Sequence, residues 1–234
     1  MNIIFTYSSG RCGTGYLSYI FGESNYSKDF IHINDNNIVA HEPWSDIPVS
    51  EIKNQEKNNK EYYNLCDKYL KNKLINFSNK ENIFITDHKL GRYFLPFLIN
   101  SNYNFKILKI NRNNTDIAKS FNLRLQKRSL EYNDLKYKKY YNELWKNSLF
   151  EPYDKFINNK NTIEWNNLSD FNKFYWYANE VLNQWSLNRF SLNKYQYLEV
   201  NFLNFINNKN ELNKISNFIN IKYNINYIDK QVNK

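Results

Sequence analysis

Cysteine, proline, glycine and histidine are all scarce in this 234-residue chain, which holds 2 Cys, 4 Pro, 5 Gly and 3 His. Cys12 and Cys66 show no Cys-x-x-Cys spacing. With so few histidines beside them, the spacing argues against a structural zinc site, and nothing supports a disulfide between them. No apolar run approaches the length of a membrane span. Met1 to Tyr7 lacks the basic region and long apolar stretch of a secretory signal, so the expectation is a cytoplasmic protein.

What is present argues for a chain that folds by itself. Apolar residues make up 41% and aromatic residues 18% of the sequence. The length fits one α/β domain over 1–234, with little room for a second. Asn, Lys, Ile and Tyr are all over-used, a pattern that reads as an A/T-rich coding bias, so isolated Asn and Lys residues carry little weight. The net charge of +9 suits a polyanionic ligand, an acidic substrate or nucleic acid, and equally suits lysines decorating solvated faces. The densest basic segment runs from Arg124 to Lys139 and is interleaved with Tyr132, Tyr137 and Tyr140. It is either a place for an anionic acceptor or a helix exterior.

Strand and helix patterns alternate. Asn2 to Tyr7 reads as a buried strand, followed by Ser8-Ser9-Gly10 and a helix from Thr14 to Phe21. A mixed polar stretch from 22 to 60 carries a short apolar island at Asn37 to Ala40. The periodicity predicts a helix over 61–77, a strand over Ile83 to Thr86, and a helix over Tyr93 to Ile99 in which Pro96 introduces a kink. A strand over Phe105 to Ile110 and a helix over Thr115 to Leu130 follow. A long loop is expected over 151–169, a helix from Phe171 to Trp185, a strand over Tyr195 to Val200, and a helix over Leu212 to Ile219. The alternation predicts α/β architecture with a central parallel sheet and helices on both faces.

Two segments carry chemistry. The first is Gly10-Arg11-Cys12-Gly13-Thr14-Gly15-Tyr16, between the first strand and a helix, and it holds three of the five glycines. Such a turn curls backbone N–H groups toward one spot, and the helix N-terminus adds partial positive charge there, so phosphate is its natural guest. Arg11 offers a full charge and Thr14 a hydroxyl. The nucleotide-triphosphatase form of the loop needs Lys before Ser or Thr, and that Lys is missing here. The second segment is Arg112-Asn113-Asn114-Thr115-Asp116 through Ser120, where a strand delivers Arg112 at its C-terminal end. Arg112 as a charged fork and Ser120 as a hydroxyl donor fit one phosphate.

Together these segments resemble the sulfotransferase family that uses 3′-phosphoadenosine-5′-phosphosulfate (PAPS). Gly10 to Tyr16 matches the loop that cradles the 5′-phosphosulfate, with Arg11 in the basic position. Arg112, Asn113, Asp116 and Ser120 match the family's 3′-phosphate segment at every spacing. The resemblance covers residues 3–121 and is faint beyond. It implies a P-loop-like fold and transfer of a sulfuryl group to an acceptor hydroxyl, on a carbohydrate or another small molecule, with no metal. The cytosolic members' glycine-rich C-terminal loop is absent, so the chain is more similar to the bacterial and carbohydrate-type branches. The resemblance offers two residues for the proton-removing base. Glu42, in His41-Glu42-Pro43-Trp44, stands where carbohydrate-type members carry a Glu-Pro, and His88 stands where cytosolic members place a catalytic histidine. Each also has an ordinary reading, as a surface acid and as a strand-end histidine bonded to backbone. Two rival functions stay open: a small-molecule kinase, and a basic nucleic-acid-binding domain built on 124–140.

Overall fold

Uninterrupted apolar runs become the sheet. In a computed structural model, residues 1–22, 30–33, 36–44, 46–157 and 164–223 are described. β1 (Asn2–Tyr7) leads into α1 (Thr14–Gly22), then β2 (Phe30–Ile33), β3 (Asn37–His41), a short α2 (Val49–Lys53) and α3 (Lys60–Leu74). β4 (Asn82–Ile85), α4 (His88–Ile99) and β5 (Phe105–Asn111) follow. The helical pair α5 (Asn114–Glu131) and α6 (Asp134–Asn147), then α7 (Asp170–Arg189), β6 (Tyr197–Asn201), α8 (Phe202–Asn207) and α9 (Lys209–Ile219) complete the described chain.

The strand order is β2-β3-β4-β1-β5-β6. Five strands are parallel, and β2 pairs antiparallel with β3 at one edge. Ile3, Ile4 and Phe5 of the central β1 are buried on both faces, as a covered parallel sheet requires. The chain leaving β1 crosses to the β2–β3 side of the sheet, whereas the chain leaving β5 goes the other way, to β6. The neighbouring C-terminal ends of β1 and β5 therefore flank a topological switch point, where open α/β sheets form their crevice.

The α/β architecture is as the sequence implied, with differences at particular places. α4 begins at His88, five residues before the expected start, because Asp87 caps it: its carboxylate accepts from Lys89 N–H at 2.7 Å. β2, α2, α6 and α8 have no counterpart in the periodicity. Trp165–Asn167 form a single 3₁₀ turn in the loop expected over 151–169, and residues 158–163 of that loop lie outside the described residues. Pro96 sits inside α4, and the buried Tyr62 hydroxyl is inserted into the ladder there. It donates to Tyr93 O at 2.8 Å and accepts from Phe97 N–H at 3.1 Å, so one hydroxyl joins both ends of a single helical turn.

Two contacts set the walls of the later site. Buried Lys53 donates to the carbonyls of Trp145 and Leu149, at 2.7 and 3.0 Å, and to Glu151 at 2.8 Å, so α2 holds the C-terminal end of α6 in place. Gly91 lets α4 lie directly on β1: a Cβ there would stand 2.0 Å from the Thr6 carbonyl oxygen. That oxygen belongs to the backbone of the central strand and has no rotamer by which to yield. Gly91→Ala is therefore expected to destabilise the protein by roughly 3 kcal/mol or more, at the upper end for an overpacked core. A lower urea midpoint at unchanged m-value reads this out. An unshifted midpoint would mean that α4 does not pack as described.

Candidate active site

Local chemistry builds the first wall. After β1, the Gly10 N–H donates to Ser8 Oγ at 3.2 Å and turns the chain. Gly10 and Arg11 both adopt left-handed backbone, with φ of 79° and 56°. Glycine takes that conformation freely and Arg11 does so at a cost. Cys12 is buried. Its thiol donates to Gly10 O at 3.0 Å and lies 3.5 Å from Ser9 Oγ, and burial pushes the thiol pKa up. Tyr177 of α7 fixes the loop from behind by donating to Ser9 O at 2.7 Å. Thr14 and Tyr16 are buried at the start of α1, with Gly15 half-buried between them. Tyr16 stacks on Phe205 of α8, with ring centroids 6.2 Å apart.

β5 supplies the second segment. Asn113 is the N-cap of α5, and its side chain accepts from the N–H groups of Thr115 and Asp116 at 2.8 and 3.4 Å. Asp116 lies in the first turn, where a carboxylate complements the helix dipole. These two residues start the helix, which leaves Arg112 and Ser120 to face the loop. Arg112 Nη1 donates to the Arg11 carbonyl, and its guanidinium lies 4.8 Å over the Phe202 ring. Arg11 Nε donates to Ser120 Oγ at 3.0 Å. Two segments about a hundred residues apart are thus interlocked.

The charge around this lock is one-sided. Among the described residues none of Arg11, Arg112 and Arg124 makes an ion pair with a carboxylate. Desolvation, then the charges of Arg124 and Arg112, lower the proton affinity of Arg11. Lys109 is buried in β5, 5.6 Å over the Tyr7 ring, donating to Ile110 O at 3.3 Å. Burial pushes its pKa down to about 8.

The second wall follows from strand pairing. β3 and β4 are adjacent and parallel, with Ala40 opposite Ile85, so the residues just past their ends become neighbours. Glu42 has a φ of 44°, the fourth left-handed residue of the site after Gly10, Arg11 and Gly13. Its Oε1 lies 3.5 Å from His88 Nδ1, without the alignment of a hydrogen bond. The other edge of His88 faces the loop: a Cβ on Gly10 would stand 3.3 Å from His88 Nε2. His41 packs beside this pair, with Nδ1 3.0 Å from Thr86 Oγ1.

Both walls enclose one cavity of about 1160 Å³. All of Gly10 to Tyr16 line it, together with Glu42, His88 and Arg112. Ser120 joins through its bond to Arg11 rather than as a lining residue. Lys89, Arg124, Tyr140 and Phe202 also line the cavity. Arg124 and Tyr140 belong to the basic stretch that the sequence offered as a place for an anionic acceptor, whereas Lys89 and Phe202 had no expected role. Arg124 was accessible in principle, since it stands one helical turn beyond Ser120. Tyr140 and Phe202 reach the cavity from elements that no motif announces.

No family model and no curated protein matches this chain. Among solved structures it is similar to a sulfotransferase domain from the curacin biosynthetic pathway, at 12% identity and a TM-score of 0.48, over 97% of this chain and 76% of that one.

His88 is held neutral. Burial first, then the positive charges of Arg92 and Lys89, push its pKa well below the ordinary value. In the unfolded chain the imidazole takes up its proton near pH 6.5, and in the folded chain only well below that. As pH falls under 6.5, the unfolded state therefore binds more protons and stability declines. Asp154 contributes an opposite slope in part of the same range, because burial raises its pKa to about 7. The comparison of two proteins isolates His88. The fall in stability from pH 7 to 5.5 should be smaller in His88→Asn than in the parent, by up to about 1.4 kcal/mol per pH unit, measured by urea titration. Parallel pH dependences in the two proteins would contradict a buried neutral imidazole.

Proposed function

We propose that this protein is a PAPS-dependent sulfotransferase that moves a sulfuryl group to an acceptor hydroxyl. One observation carries the reading: Arg11, Arg112 and Arg124 crowd a left-handed loop directly beside a carboxylate–imidazole pair, and among the described residues none of them is ion-paired to a carboxylate. Uncompensated guanidinium groups facing a cavity fit a multiply charged anion. The adjoining pair fits removal of a proton from a neutral acceptor.

The donor supplies an activated sulfuryl group whose leaving group is a phosphate. Loop N–H groups and Arg11 bind the 5′ end and stabilise charge that develops there. Arg112 and Ser120 hold the 3′-phosphate and give the preference for a 3′,5′-bisphosphate. Glu42 accepts the acceptor proton as the acceptor oxygen bonds to sulfur and the sulfur–phosphate oxygen bond breaks. His88, neutral and turned toward both Glu42 and Gly10, orients the acceptor hydroxyl. Adenosine 3′,5′-bisphosphate is the product. The acceptor is a hydroxyl compound, such as a carbohydrate or other small molecule, and the reaction needs no metal ion.

Adenosine 3′,5′-bisphosphate should raise the melting temperature more than ADP or AMP, with about 2.7 kcal/mol of added stability at a hundredfold excess over its Kd. Equal shifts with all three nucleotides would remove the case for a 3′-phosphate site. By calorimetry, Arg112→Ala should cost more affinity than Ser120→Ala, whose single hydroxyl bond is worth around 1 kcal/mol. Unchanged affinity in Arg112→Ala would sink the assignment.

The base is tested separately, with an acceptor found by screening. Glu42→Gln should lower kcat by roughly 10²- to 10⁴-fold and leave bisphosphate affinity nearly intact. His88→Asn should act mainly on acceptor KM. If the large loss of kcat falls on His88→Asn and Glu42→Gln turns over normally, the roles are exchanged.

A further inference from the structure

The α5–α6 hairpin carries a surface that the site does not use. Only Tyr132 and Asn133 separate the two helices. On either side of that turn stand Leu130, 89% exposed, and Leu135, 83% exposed, with Leu123 also exposed two helical turns back. From Arg124 to Lys139 there are six cations against two carboxylates, Glu131 and Asp134. Glu131 is engaged by Arg128 at 2.7 Å and Lys127 at 3.9 Å, so the excess positive charge stays at the tip. Arg128 and Lys136 lie 5.2 and 4.2 Å over the Tyr132 ring, which meets Tyr140 edge-on at 6.0 Å. These contacts brace the turn and hold both leucines outward.

Bare leucines beside an excess of cations match one kind of surface. At an anionic bilayer, apolar side chains enter the acyl boundary while lysines and arginines meet the headgroups. A soluble polyanion would engage the cations and leave the leucines in water. We propose that the tip of the α5–α6 hairpin docks on an anionic lipid surface. The described helices include none long and apolar enough to cross a membrane, so the attachment is peripheral. Arg124 and Tyr140, further along the same helices, line the cavity. Six residues from Leu130 to Arg124 correspond to about 9 Å of helix, so docking sets the cavity close to the lipid surface. The proposal stands independently of the reaction assigned to the cavity.

Flotation with phosphatidylcholine vesicles, with and without one-third phosphatidylserine, tests it on the full chain. Binding should need the anionic lipid and weaken at 0.5 M salt. The double variant Leu130→Ser/Leu135→Ser should lower the partition coefficient roughly tenfold or more, and Lys136→Glu/Lys138→Glu by a similar factor. Both pairs are exposed, and unchanged circular dichroism and melting temperature establish that the variants fold. Anionic vesicles bound equally by the leucine variant would overturn the proposal in favour of a soluble polyanion site. So would equal binding to neutral vesicles, or no binding to either.

Discussion

A residue with a side chain keeps left-handed backbone only where its surroundings hold it there. At Arg11 they do so from two directions. The Arg112 guanidinium takes the Arg11 carbonyl, and Ser120 takes the Arg11 guanidinium. The loop after β1 is therefore completed by β5 and α5, which pack beside β1 through the sheet register that sets Thr6 opposite Leu108. Without that register neither bond forms, and Arg11 has no reason to leave the ordinary regions of backbone space. The loop conformation, the direction of its N–H groups and the position of Arg112 are one cooperative unit.

The same unit concentrates charge. Arg11, Arg112 and Arg124 repel one another, and Lys109 lies buried beside the loop with no ion pair among the described residues. A folded protein bears such an arrangement only at a cost in stability, and a ligand anion returns that cost on binding. The excess continues under the opposite wall. Arg92 is buried one turn along α4 from His88, among Tyr93, Phe150 and Tyr177. It donates to Ser148 O at 2.7 Å, while its Nε and Nη1 meet no acceptor among the described residues. Ser148 lines the cavity, so Arg92 both shapes that wall and adds to the field that keeps His88 unprotonated.

What the sequence made legible is what depends on neighbours along the chain. The strands at Ile3–Phe5, Ile83–Ile85 and Ile107–Ile110 are unbroken apolar runs, and the glycines near Gly10 mark a turn whatever lies around them. Asn113 and Asp116 are local too, since capping and dipole effects reach only a few residues. α6 was not legible because only Trp145 is buried along its length, which leaves too little apolar periodicity to read. The early start of α4 was hidden because Asp87, His88 and Lys89 are polar, and their order is set by a cap rather than by burial. Lys53 and Arg92 lay beyond reach for a different reason: both are charged residues buried by partners distant in sequence. The two phosphate-type segments could be matched one by one, but their interlock depends on register and has no signature in either.

The Glu42–His88 pair shows how the two kinds of information meet. From the sequence these were rivals for one task, because each stood at a different position known from a different branch of a family. In space they are one feature, since β3 and β4 run side by side and end together. The two groups are nonetheless unequal. His88 is the inner one, with a side chain 15% exposed against 32% for Glu42. A buried imidazole among Arg92, Lys89 and Arg124 is poorly placed to carry a proton it has just accepted, because each of those charges opposes the imidazolium. Glu42 lies nearer to water than His88 does. The backbone strain at Glu42, with φ of 44°, is consistent with a side chain held toward the cavity rather than left to find its own rotamer in solvent. Under the proposed reaction, the asymmetry in exposure, rather than either residue's identity, is what assigns the proton to Glu42 and the orienting of the hydroxyl to His88.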